Sequence, residues 1–162
     1  MGDYYFLSIP VKRHIAKFIN STEGDHIVIN NKNYYWTLIR PYITYRINTG
    51  HKTTITDTSF GKIKIKLPQS KMRAYGVQPR PGTVGAINQV LNDYFSLELS
   101  YFVHTWLKND GRYKGFKSAI HEFCKMHNIV IDEDISFEAL KQLEFRNRYR
   151  RKKLVPHLSL PN

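Results

Sequence analysis

Apolar and polar positions alternate most cleanly over residues 62–67. There Ile63, Ile65 and Leu67 point to one face of a strand, and Lys62, Lys64 and Lys66 point to the other. Pro68 stops this strand. Upstream, residues 4–9 form a short β-prone run that Pro10 ends. Val11, Ile15, Phe18 and Ile19 then recur at helical spacing, with Pro10 in the first turn and residues 20–24 closing the helix, which turns Lys12, Arg13 and Lys17 to solvent. Residues 26–30 alternate as a strand and 30–33 read as a turn. Residues 34–43 are apolar and aromatic but broken by Pro41, so helix and strand both fit. Ile43, Tyr45 and Ile47 alternate with Thr44, Arg46 and Asn48, which predicts a half-buried strand ending at Gly50; residues 55–60 carry a weaker pattern.

Beyond that point the period changes. Gly76, Pro79, Pro81, Gly82 and Gly85 crowd residues 74–85, the composition of a loop or an interdomain hinge. Thr83 can cap a long helix to about Lys108, with Ile87, Val90, Leu91, Tyr94, Phe95, Phe102, Val103 and Trp106 on its apolar face. That face is too broad to stand alone, so the helix over 83–108 is expected to pack on the sheet or on a second copy of the chain. Residues 109–111 end it. Residues 116–127 place Phe116, Ala119, Ile120, Phe123 and Cys124 on one face. Residues 128–133 break the pattern, and Ser136 can cap a last helix to about Arg151, with Phe137, Leu140 and Leu143 inward. The fold expected is α+β: a small, basic, mostly antiparallel sheet with one or two helices in residues 1–75. A helical part of about three helices follows in 83–152 with a helix-turn-helix-like end, then a loose tail over 153–162. One shared core is expected.

Composition narrows the functional classes. In 162 residues, 41% hydrophobic and 14% aromatic side chains can bury a core, which argues against a disordered chain. The single cysteine, Cys124, leaves no disulfide framework and too few thiolates for a cysteine-based zinc module. No run approaches 18 apolar residues, so no membrane span is expected. The first residues do not read as a signal peptide, and Phe6 occupies the position where myristoylation favours Ser or Thr. Charge changes the picture most. The formal net charge is +12, of which residues 1–80 hold +9 and residues 81–162 hold +3. In the second half Lys141, Arg146, Arg148, Arg150, Arg151, Lys152 and Lys153 crowd together beside one acid, Glu144, with Asp132, Glu133 and Asp134 just upstream. Such clustering attracts polyanions, nucleic acid above all; net charge also keeps a protein soluble without any ligand.

Three constellations bear on binding. The last two helices form a helix-turn-helix candidate in which Gln142, Arg146, Asn147 and Arg150 have the chemistry to read base edges. Lys141, Arg148 and Lys152 share an outer stripe suited to phosphate, with Arg150 and Arg151 to either side. The connection is longer than the usual three or four residues, and the densest charge sits at the helix C-terminus, where it also complements the dipole. In the N-terminal half, Tyr34, Tyr35, Trp36, Tyr42 and Tyr45 alternate with Lys32, Arg40 and Arg46, so rings can stack bases while cations hold phosphates, or the rings simply fill a core. The row of Lys62, Lys64 and Lys66 repels itself, a cost that a polyanion would relieve; lysines also protect edge strands from aggregation.

Enzyme signatures are poor. His121, Cys124 and His127 recur three apart on a helix, but Cys124 belongs to the apolar face and no carboxylate completes a closed zinc site. No Walker loop or dinucleotide fingerprint is present. Asp57 lacks a second acid to share a nuclease magnesium, and Tyr149 amid Arg146, Arg148 and Arg150 is the one candidate nucleophile. No catalysis, cofactor or metal is expected.

The opening segment FLSIPVKRHIAKFIN resembles the start of small uncharacterised proteins from phages and mobile elements of gut-type bacteria. The segment FKSAIHEFCKMHNIVIDEDISFEALKQLEFRNRYRRK resembles their C-terminal helical pair. Together the two cover roughly a third of the chain. The resemblance implies a mobile-element context and a DNA-linked role, and it transfers no functional residue. The expectation is therefore a noncatalytic DNA-binding protein, regulatory or accessory, in the cytoplasm of a bacterial host. A virion or assembly protein contacting DNA or a capsid partner is the first alternative, and a nuclease or recombinase accessory the second.

Overall fold

A computed structural model describes residues 4–43, 60–70, 83–109 and 111–154, with side chains described except at 111–114 and 150–154. Its elements are β1 (Tyr4–Lys12), α1 (Arg13–Glu23), β2 (Ile27–Val28), α2 (Tyr34–Ile39), a 3-10 turn (Arg40–Tyr42), β3 (Phe60–Pro68), α3 (Thr83–Asn109), α4 (Gly111–Met126) and α5 (Phe137–Leu154). The architecture is α+β. The expected strand over 44–48, the weaker one over 55–59, most of the Gly/Pro segment and the end of the tail lie outside the described residues. The chain divides into two compact units, residues 1–92 and 93–162, so the first turns of α3 belong to the first unit and the rest to the second.

In the first unit the sheet order is β1-β3-β2, with β1 antiparallel and β2 parallel to β3. The alternation read for residues 62–67 appears as a burial alternation: Ile63, Ile65 and Leu67 are fully buried and face Ile9, Leu7 and Tyr5 in the register of β1. Leu7, Ile9 and Val11 complete the inner face of β1, and Ile15, Phe18 and Ile19 of α1 are buried with them.

Pro10 does not end β1, as expected from the sequence; the strand runs to Lys12 and α1 begins at Arg13. The reason lies at the outer edge of β1. There the side chain of Asn88 in α3 accepts from the Lys12 N–H at 3.0 Å and donates to the Pro10 carbonyl at 3.0 Å. The backbone of position 10 thus faces away from β3, and a missing N–H costs the ladder nothing. Gly61 lets α1 approach, because a Cβ there would meet the Cβ of Ala16 at 2.6 Å.

The segment left open between helix and strand is helical. Asn33 caps α2 by accepting from the Trp36 N–H at 2.9 Å, and Pro41 falls in the following 3-10 turn, whose tighter winding tolerates it near the start. The strand expected over 26–30 shrinks to Ile27–Val28.

In the second unit α3 buries Phe95, Leu99 and Val103 one turn apart, and Phe123 of α4 packs against Phe95 and Phe102 with ring centroids 5.7 and 5.5 Å away. Of the apolar stripe of α3, Ile87, Leu91, Phe95 and Val103 are buried, and Val90, Tyr94, Phe102 and Trp106 are half-buried. Gly115, at φ 67°, interrupts α4, so its regular part starts at Phe116 as the pattern predicts. Asn128, at φ 54°, closes α4: its N–H reaches the Lys125 carbonyl while the Ile129 N–H reaches that of Cys124 at 2.8 Å, the Schellman arrangement. Ser136 then caps α5, its Oγ accepting from the Ala139 N–H at 3.2 Å.

Candidate nucleic-acid interface

Lys62, Lys64 and Lys66 stand on the face of β3 opposite the core, with Lys62 and Lys64 exposed and Lys66 half-buried. Successive lysines are about 6.7 Å apart along the strand. The register sets Pro10 beside Lys62, Ser8 beside Lys64 and Phe6 beside Lys66, with Val28 on the other side of Lys66. At its far end β1 adds Lys12 to this face. No acidic residue occurs in any of the three strands. At Lys66 β3 has a neighbour on both sides, so edge protection does not account for a lysine there.

The rings on this face are Tyr4 and Phe6, exposed to 55% and 53%. Lys66 Nζ sits 4.2 Å from the centre of the Tyr4 ring, and Phe6 meets His26 edge-on at 5.6 Å. These are not the aromatics singled out from the sequence. Tyr35 and Trp36 are buried in α2, Tyr34 is exposed on that helix, and Tyr45 lies outside the described residues. The missed signal was parity: Tyr4 and Phe6 share it with Ser8, whereas Leu7, Ile9 and Val11 share the other.

The candidates on α5 are dispersed by burial. Gln142 and Arg146 are exposed, and Lys141 is exposed with a 3.4 Å ion pair to Glu138. Asn147 is only 3% exposed and donates to Ser96 Oγ in α3, so it is not offered to a groove. Glu144 is equally buried, and Arg148 grips its carboxylate in a fork at 3.1 and 2.8 Å while lying 5.2 Å from the Phe116 ring. The guanidinium thus neutralises a buried charge, the stronger of its two readings. Arg146 and Arg148 border a groove of about 510 Å³ with Phe116, Phe145 and Gln142. The side chains of Arg150, Arg151 and Lys152 lie outside the described residues. The link between α4 and α5 spans residues 127–136, longer than a helix-turn-helix turn, and is tied by Asp134 accepting from the Val130 N–H at 2.7 Å and Asp132 from the Phe137 N–H at 3.2 Å.

The two histidines each have an aromatic neighbour, and Cys124 is buried. His121 stacks on Phe137 and His127 lies 4.6 Å from the Phe123 ring. Burial, with the nearby Asp134 charge adding to it, pushes the Cys124 thiol up from 9.0 to about 11. Burial also lowers the His127 pKa, against a smaller opposing pull from Glu98. Among the described residues no three His, Cys, Asp or Glu side chains converge on a metal position, and no helix is long and apolar enough to cross a membrane. Compared with known protein families, with curated proteins and with solved structures, the chain matches none.

Proposed function

We propose that this protein is a noncatalytic nucleic-acid-binding protein that uses the outward face of its sheet. The observation that carries the reading is the row Lys62, Lys64, Lys66 on one face of β3, with no acid in the sheet to neutralise it. Three like charges held one strand repeat apart are costly alone and favourable against phosphate. The exposed Lys141, Gln142 and Arg146 of α5 offer a second, weaker binding region. A DNA-linked, regulatory or accessory role in a phage or mobile element rests on the resemblance of the two segments quoted above.

Fluorescence anisotropy with labelled oligonucleotides at low salt tests the proposal. Lys62→Gln, Lys64→Gln and Lys66→Gln combined should weaken binding to every nucleic acid tried, because phosphate contacts carry no sequence information. Absence of binding by the unaltered protein, or an unchanged affinity in the triple variant, would overturn it.

A second reading, a virion or assembly protein, is favoured by the exposed apolar pairs Leu97 with Tyr101 on α3 and Phe145 with Tyr149 on α5. Each pair is one helical turn apart and suits a protein partner.

A further inference from the structure

We infer that the sheet face takes single-stranded rather than double-stranded nucleic acid, with unpaired bases stacked on Phe6 and Tyr4 and phosphates held by the lysines of β3. The inference rests on the nucleic-acid reading above and deepens it. A row of cations alone would serve any polyanion. What distinguishes this face is the pair of large rings placed among the cations: more than half of each ring's residue is open to solvent. An exposed ring gains from stacking only when a base presents a free face, and in a duplex those faces are already covered.

The arrangement on the face has a direction. Tyr4 and the row of Phe6, Lys66 and Val28 lie toward one end, and Lys64, Lys62 and Lys12 toward the other. Phe6 and Lys64 are diagonal neighbours on adjacent strands, about 7 to 8 Å apart. That separation lets one nucleotide place its base on the ring and its phosphate on the ammonium. Phe6 is the principal platform, since His26 meets it edge-on and fixes its orientation. Tyr4 already carries Lys66 Nζ on one side of its ring, so a base stacks on the other side while the same ammonium reaches the adjoining phosphate. An antiparallel strand pair such as β1 and β3 can itself enter a major groove, so it is the exposed rings among the lysines, not the strands, that favour a single strand.

The test compares a labelled oligothymidylate with a duplex of equal length at one salt concentration, using the full chain. The unaltered protein should bind the single strand more tightly. Phe6→Leu with Tyr4→Leu should weaken single-strand binding by about tenfold for each ring and leave duplex binding unchanged. Phe6→Trp should retain single-strand affinity, which separates loss of stacking from loss of fold; a circular-dichroism melt confirms that each variant is folded. Equal or tighter duplex binding, or a Phe6/Tyr4 variant that binds the single strand as well as the parent, would overturn the inference while the effect of the lysine variant keeps the broader proposal standing. Loss of the lysine effect itself would sink both.

Discussion

At the scale of single residues, the most informative side chains are polar ones that are buried. Asn88 is 8% exposed and takes the place of a missing strand at the edge of β1, matching the Lys12 N–H and the Pro10 carbonyl with one carboxamide. Replacing it by Ala leaves both backbone groups without their partner and should cost about 1–3 kcal/mol. Urea unfolding should show a lower midpoint with an unchanged slope. His127 and Cys124 give the fold a pH signature. The lowered His127 pKa means that the unfolded chain takes up a proton first, so stability falls as pH drops below about 6.5. The Cys124 thiol, at about 11 against 9.0, ionises first in the unfolded chain, so stability also falls as pH rises from 9 toward 11. Melting temperatures across pH should show a shallower alkaline decline in Cys124→Ala than in the parent. A parallel decline in the two would mean that the thiol is not held neutral by the fold.

At the scale of elements, what was legible in the sequence depended on whether the chain's own period decided the outcome. β3 was legible because its strict alternation lets only one face be buried. The regular part of α4 and the start of α5 were legible because Phe116 and Ser136 mark them locally, the second by a side-chain cap that the structure contains. The end of β1 was not. Pro10 stops a strand when its N–H is needed by a neighbour, and only the position of α3, far along the chain, shows that it is not needed. α2 was undecided for the same reason: six residues flanked by Pro41 fit either form until the Asn33 cap is seen. Within the candidate sites, the lysine row was legible by parity. The burial of Asn147 and the commitment of Arg148 to Glu144 were not, because both follow from how α5 seats its polar residues among α3 and α4.

At the scale of the whole molecule, the net charge of +12 is less informative than where it is carried. The sheet of the first unit is wholly cationic in its charged residues. α5 mixes its cations with Glu138 and Glu144, which take up Lys141 and Arg148. Among the described side chains, the lysine face is therefore better suited to phosphate than the charged positions of α5. The salt dependence of single-strand binding, measured for the parent and for the Lys62→Gln, Lys64→Gln, Lys66→Gln variant, tests this most directly. Each lysine–phosphate pairing removed should flatten the plot of log K against log salt by about 0.7 for a single strand, so the variant's slope should be shallower by about 2. Equal slopes in the two proteins, or binding that does not respond to salt, would contradict it.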